Sequence, residues 1–342
     1  MRGLTDTASR PLRDLRISVT DRCNFRCSYC MPAELFGESY RFLPRPELLS
    51  FEELERLVRI FVDLGVGKVR ITGGEPLVRA DLPTLVAKLA KLPGLADLAL
   101  TTNGYLLADY AHALADAGLN RVSVSLDSLD DGVFDIMNGG RGGLARVLEG
   151  LDAAEAAGLE PIKINCVVVR GVNDGGIIEL VDRFRNSGHV LRFIEYMDVG
   201  TRNGWELSQV VATREIVERI DVHAPLERLE PDRPGEVATR YRYRDGSGEI
   251  GVISSVSAPF CGSCNRARLS TDGRLMTCLF ASRGTDLKGA LRRGLSDEEL
   301  SGIIRRTWSS RTDRYSEERA NNTDFEGEPE APEKIEMYQV GG

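Results

Sequence analysis

The chain has little of what would give an easy reading. It holds 3 histidines and 2 tryptophans in 342 residues. No stretch approaches the roughly 18 consecutive apolar residues of a membrane span, and residues 1–14 are polar, without the apolar core of a secretory signal. The expected location is the cytoplasm. Basic residues are not in excess: 44 Lys and Arg face 52 Asp and Glu, a net charge of −8. The overall field therefore gives no reason to expect nucleic acid as a partner. An odd cysteine count, 7, in tight clusters argues against a disulfide framework and for metal. Hydrophobic content of 42% and charged content of 28% are ordinary for a globular protein with a full core.

What is present is concentrated in short motifs. Cys23-Asn24-Phe25-Arg26-Cys27-Ser28-Tyr29-Cys30 offers three thiolates at CxxxCxxC spacing. A cubic iron–sulfur cluster takes four ligands, so one iron would be left open for a small molecule. Zinc would require a fourth Cys or His, and His112, His189 and His223 are far away in sequence. Cys261, Cys264 and Cys278 form a second three-thiolate group. Cys166 lies inside a strand-like run and reads as a small buried hydrophobe.

Six β-branched runs, at 15–20, 68–72, 98–101, 121–126, 161–169 and 190–196, alternate with helical-period stretches at 51–64, 81–92, 106–117, 144–157 and 176–186. Ser50 with Glu53 predicts a capping box. Gly65, Gly118, Gly158 and Gly188 stand where helix-ending glycines belong. Such alternation predicts a parallel sheet with helices outside, an α/β partial barrel whose site gathers at the C-terminal strand ends. There lie the first cysteine group, Gly73-Gly74-Glu75-Pro76, Thr101-Thr102-Asn103-Gly104, Ser125-Leu126-Asp127 and Met197. The division expected is a barrel over 1–210, a smaller C-terminal α+β region over 211–308 and a polar acidic tail over 309–342.

Arg16, Lys68, Arg70, Lys163 and Arg192 lie on or beside these strands, where cations are costly unless they meet an anion. Arg266 and Arg268 share one side of an extended chain, and guanidinium binds phosphate in a two-pronged fashion. The expected substrate is polyanionic.

CxxxCxxC after the first strand, with Tyr29 before the third cysteine and a GGEP loop following, resembles the radical S-adenosylmethionine (SAM) superfamily. The segments DLRISVTDRCNFRCSYCMP, ITGGEPLVR, TTNG, SVSLDSL, KINCVVVRGVND, FIEYMDVG and CGSCNRARLSTDGRLMTC, with a terminal Gly-Gly, resemble the GTP 3′,8-cyclase family over nearly the whole chain. Tyr338 and Val340 stand where that family more usually has Ser and Ile.

The resemblance implies a (β/α)6 barrel of the TIM type carrying two 4Fe-4S clusters, the first on Cys23, Cys27 and Cys30 and the second on Cys261, Cys264 and Cys278. It assigns Tyr29, Gly74, Ser125 and Met197 to SAM. To GTP it assigns Arg16, Arg70, Thr101, Lys163, Arg266, Ala267 and Arg268, and the strand-borne cations Lys68 and Arg192 are expected to join them. Arg266, Arg268, Gly341 and Gly342 are the implied catalytic residues. The implied reaction begins molybdenum cofactor (molybdopterin) biosynthesis. A 5′-deoxyadenosyl radical made from SAM takes hydrogen from C3′ of GTP, and the carbon radical attacks C8 to give 3′,8-cyclo-7,8-dihydro-GTP. An external reductant and a downstream cyclic pyranopterin monophosphate synthase are the implied partners, with room for a homodimer. Two rival readings are a radical SAM enzyme acting on a peptide and a non-catalytic iron–sulfur or zinc protein.

Overall fold

The computed structural model describes residues 3–232, 235–321 and 334–341. Local signals settle the helix ends. Ser50 Oγ accepts from the Glu53 amide at 3.1 Å while Glu53 Oε2 accepts from the Ser50 amide at 2.7 Å, so the capping box is formed. The elements run β1 (Asp14–Ser18), α1 (Phe51–Asp63), β2 (Lys68–Thr72), α2 (Leu82–Ala90), β3 (Asp97–Thr102), α3 (Leu107–Asp116), β4 (Arg121–Ser125), α4 (Asp131–Asn138) and α5 (Leu144–Ala156). There follow β5 (Lys163–Val168), α6 (Ile177–Phe184), β6 (Val190–Glu195), α7 (Thr213–His223), β7 (Leu226–Arg228), β8 (Thr239–Tyr243) and β9 (Glu249–Ile253). The remainder is β10 (Arg266–Leu269), β11 (Arg274–Met276), β12 (Thr285–Asp286), α8 (Leu287–Arg292), α9 (Asp297–Ser309), α10 (Tyr315–Asn321) and α11 (Met337–Val340).

All strands join one mixed sheet, ordered β12-β11-β10-β1-β2-β3-β4-β5-β6-β9-β8-β7. The six alternating strands are parallel neighbours, as the pattern predicts. Two strands from beyond residue 211 extend that run in the same sense: β10 pairs parallel with β1, and β9 parallel with β6. The antiparallel β7, β8, β11 and β12 complete the edges. The C-terminal chain thus continues the barrel wall at both ends.

Side-chain alternation divides the sheet into two faces. On β1, Leu15 and Ile17 are fully buried in the apolar cluster with α1 and α2 residues such as Leu54, Phe61 and Leu85. Arg16 points the other way, into the barrel interior. On β5, Cys166 is 1% exposed within that same outer cluster. The helix α4 lacks a long apolar run but has readable ends: Asp130 accepts from the Val133 amide at 2.8 Å, and Gly139 follows in the left-handed region. No helix among the described residues is long and apolar enough to cross a membrane.

Candidate functional site

One cavity of about 1010 Å³ occupies the inner face of the sheet. Cys23, Cys27 and Cys30 line one part of it, and Cys261, Cys264 and Cys278 another. The first trio sits on the loop leaving β1. Arg26 braces that loop from within, donating at 2.7 Å to the carbonyls of Cys23, Phe25 and Phe36. The glycine loop after β2 lies directly against it: the Gly74 amide donates to the Thr20 carbonyl at 2.7 Å and the Glu75 amide to the Arg22 carbonyl at 2.8 Å. A Cβ at Gly74 would overlap the Arg22 carbonyl, so only glycine lets these loops touch.

Burial pushes the Cys23 thiol up to about 12, helped by the Glu75 carboxylate, and raises Cys27 and Cys30 as well. Thiolates are stable in such surroundings only against a strong positive charge, which iron supplies. The donor set therefore fits a cluster. Among the described residues no group of Cys, His, Asp or Glu closes on a single metal ion.

Tyr29, Gly74, Ser125 and Met197 all line the same cavity as this trio. The Tyr29 hydroxyl donates to Asp127 Oδ2 at 2.9 Å, and the Val167 amide to Asp127 Oδ1 at 2.8 Å. Burial raises Asp127 to about 6. Glu75 is pushed by burial to about 7, although Asn103 N, Leu77 N and Thr102 Oγ1 all donate to it. Asn103 Nδ2 spans to Asn24 Oδ1 at 2.8 Å and lies 3.8 Å from Cys23 Sγ.

Register places the cations in rows. Arg16 on β1 is level with Arg70 on β2 and Arg268 on β10; Asp14 is level with Lys68 and Arg266. Neighbouring strands are about 4.8 Å apart, so three guanidiniums stand side by side. Farther round, Lys163 is level with Ser123, and Arg192 with Asn165 and Gly251. A Cβ at Gly251 would lie 3.1 Å from Arg192 Cγ, so the glycine leaves space for that side chain. Arg70 donates to Thr101 Oγ1 at 2.9 Å and Ser123 Oγ at 3.1 Å, while Arg192 reaches Ser123 Oγ at 3.3 Å. Lys68 pairs with Asp14 at 3.1 Å.

These contacts do not saturate the row. Arg16 Nε and Arg192 Nε are shielded and have no hydrogen-bond partner among the described residues. Burial, reinforced by neighbouring guanidiniums, lowers Lys163 to about 7 and Arg192 to about 9; burial lowers Lys68 to about 8 despite Asp14. Such a wall favours an anionic ligand over a neutral one.

At the second trio, Arg266 Nη2 approaches Cys264 Sγ at 3.5 Å and its guanidinium covers the Phe260 ring at 5.1 Å. Burial would raise the Cys264 thiol, but Arg266 and Arg311 outweigh it and hold the group at about 6. Arg268 donates to the Gly341 carbonyl. Both arginines of β10 line the cavity. Ala267 faces away, fully buried in the outer apolar core, so only its backbone could meet a ligand. Gly341 is buried beside Thr72. Gly342 lies outside the described residues.

Two family models divide the chain between them: the Radical SAM superfamily matches residues 17–184 and Molybdenum Cofactor Synthesis C residues 189–317. A GTP 3′,8-cyclase of Acidothermus cellulolyticus is 55% identical over 343 residues, covering 99% of this chain and 94% of that one. The chain belongs to the GTP 3′,8-cyclase family. Other members of the family include GTP 3′,8-cyclases of Xanthomonas axonopodis at 53% identity and Staphylococcus aureus at 46%, each covering 99% of both chains. Among solved structures, Streptococcus suis SuiB bound to S-adenosylmethionine superposes with a TM-score of 0.59 over 87% of this chain and 68% of that one. At 19% identity that likeness shows the fold alone.

Family membership makes this a SAM-dependent radical enzyme working with 4Fe-4S chemistry. Sequence reasoning gave no separate role to Glu75, Asn103 or Asp127, although each stands inside a motif it singled out. It passed over Arg311 and Asp313 completely. Their signal is tertiary: both line the cavity from a segment that reads as a polar tail.

Proposed function

We propose that the chain cyclises GTP to 3′,8-cyclo-7,8-dihydro-GTP at the start of molybdenum cofactor biosynthesis. The observation that carries this reading is a single cavity bearing two three-thiol groups and a row of strand-borne cations. When bound, the clusters and SAM supply the reducing electron and the hydrogen-abstracting radical.

The chain's own residues bind, orient and enclose. Cys23, Cys27 and Cys30 hold the first cluster. The bare backbone at Gly74, with Tyr29, Ser125 and Met197, seats SAM next to it, and Asp127 fixes the Tyr29 hydroxyl. Arg16, Lys68, Arg70, Lys163, Arg192 and Thr101 receive the triphosphate of GTP. Cys261, Cys264 and Cys278 hold the second cluster near the base. Arg266, the Ala267 backbone and Arg268 line GTP beside it, and Gly341, held by Arg268, braces that wall. Holding both reactants in one pocket raises the effective concentration of the reacting atoms, and the bound reactants displace water from around them. An external reductant, a downstream cyclic pyranopterin monophosphate synthase, a cytoplasmic setting and a homodimer belong to the same reading.

Anaerobic reconstitution followed by turnover with SAM, reductant and GTP tests it. The expected result is about eight irons per chain and the cyclised nucleotide as product. Bound zinc without SAM cleavage, or SAM cleavage with GTP left unchanged, would overturn it.

A further inference from the structure

The second cysteine group is held by a buried ionic clamp that runs from the cavity wall at Arg311 back into the protein. Residues 5–11 form a short loop, closed by a bridge between Thr5 and Pro11. Inside it, Asp6 Oδ1 accepts from the amides of Ala8 and Arg10, both at 2.9 Å, and Asp6 Oδ2 accepts from Arg10 Nε at 2.6 Å. Arg311, 305 residues away in sequence, reaches the same Asp6 Oδ2 at 3.5 Å. Asp6 is 7% exposed, Arg10 2% and Arg311 4%. Three charged side chains this deep are retained at a cost unless they hold something in place.

What they hold is the cysteine loop. Arg10 Nη1 donates to the Cys261 carbonyl at 2.9 Å and to the Asp313 carbonyl at 2.8 Å. Arg311 Nη1 donates to the Cys264 carbonyl at 2.8 Å. Thr277, the neighbour of Cys278, donates to Asp313 Oδ2. Beneath the clamp, the Arg311 guanidinium lies 4.7 Å from the Trp308 ring, and Trp308 Nε1 donates to the Arg10 carbonyl at 3.1 Å. Cys261 and Cys264 are thus tied directly to arginines held by Asp6, and Cys278 more remotely, through Thr277 and Asp313.

We propose that Asp6, Arg10 and Arg311 are positioning residues for the second cluster, setting the Cys261–Cys264 turn and Cys278 at cluster-binding separation before iron arrives. The carbonyls on both sides of the CxxC turn are fixed by guanidiniums, so the sulfurs inherit their geometry from the clamp. Outer groups of this kind commonly govern affinity and potential at metal sites. The inference rests on assigning Cys261, Cys264 and Cys278 to a second cluster.

The test uses the full chain reconstituted anaerobically, comparing the parent with Asp6→Asn, Arg311→Lys and Cys264→Ser. Asp6→Asn keeps shape and removes charge; Arg311→Lys keeps charge and removes the forked hydrogen bonding. Iron content, the paramagnetic resonance of each reduced cluster, SAM cleavage to 5′-deoxyadenosine and GTP cyclisation are read together. In both clamp variants, iron is expected to fall from about eight toward about four per chain. The second cluster's signal should weaken or shift and cyclisation drop at least about 10-fold, with SAM cleavage kept. If the parent itself holds about four irons and Cys264→Ser loses none, the cluster assignment fails. Clamp variants with the parent's iron content, both signals and full cyclisation overturn the clamp alone. Loss of both clusters together with the thermal transition also overturns it, marking the network as general core support.

Discussion

Arg268 donates a hydrogen bond to the carbonyl of Gly341, joining a strand that pairs with β1 to the last described residue of the chain. Gly341 adopts φ +70°, and a Cβ there would overlap the Thr72 side chain. Its neighbours are fixed too: the Tyr338 hydroxyl meets that of Tyr40 at 2.6 Å, and the Tyr338 ring packs on Phe36 at 5.1 Å. The last described turn therefore packs against the cavity wall, which Met337 and Arg268 line.

Gly341→Ala should displace that wall without touching either cysteine group. We expect iron content and SAM cleavage near the parent values and GTP cyclisation reduced at least about 10-fold, since misplacement on the order of 1 Å can cost about 100-fold. Full cyclase activity in this variant would make the tail a mere packing element.

The lysine pKa values predict proton uptake on nucleotide binding. Lys163 is held at about 7 and Lys68 at about 8, against an ordinary 10.5, by burial among like charges. A bound triphosphate restores both toward their ordinary value. Calorimetry in two buffers of different ionisation enthalpy, at pH between about 7 and 9, should report protons taken up and GTP affinity falling as pH rises. In the ligand-free protein the sign is opposite. The unfolded chain binds more protons across the window above 7, so the stability set by these lysines rises with pH. A proton-neutral binding reaction at pH 8 would refute the cation row as the triphosphate site.

Arg192→Met separates stability from function. Its shielded Nε has no partner among the described residues, and burial followed by repulsion from Arg70 and Arg121 lowers its pKa. Replacing it should leave the ligand-free melting temperature unchanged or raised, while GTP binding weakens by about 1.5–3 kcal/mol for the lost charged contact. A lowered melting temperature with intact affinity would assign it a structural role.

The two kinds of cysteine should separate cleanly. Cys27→Ser should lose the first cluster and all SAM cleavage. Cys166→Ala, in a fully packed core position, should cost about 1 kcal/mol in chemical denaturation and keep the iron. Equal iron loss in both would contradict the division.

Asp198 ties the returning tail to the loop after β6. It accepts from Arg319 Nη1, from the Tyr315 hydroxyl and, at 3.0 Å, from Lys334 Nζ. Asp198→Ala leaves two cations facing no carboxylate, a loss of about 3–5 kcal/mol for a broken buried pair. Limited proteolysis should then cut within 310–341 while the barrel resists. An unchanged cleavage pattern would show that Tyr338 and Gly341 alone keep the tail in place.

Much of the site was legible because its signals are local. CxxxCxxC states its ligand number within eight residues, and Ser50 with Glu53 states a helix start within four. That Arg16 lies on a strand was readable too, whereas its turning away from Leu15 and Ile17 into the cavity came with the structure. The helix α4 was missed because its eight residues make only about two turns of helical period, though its Asp130 and Gly139 caps were available.

The residues alone were enough for the two thiolate groups, the six alternating strands, the strand-borne cations and the family resemblance. Only the tertiary structure decided that Arg16 stands level with both Arg70 and Arg268, that β9 and β10 extend the parallel wall, and that Asp6 and Arg311 meet behind Cys261 and Cys264. Spacing and capping are set by neighbours within a few residues, where chain geometry leaves few choices. Register between distant strands and ion pairs across 305 residues are set by which surfaces bury best together, and no local pattern encodes that choice.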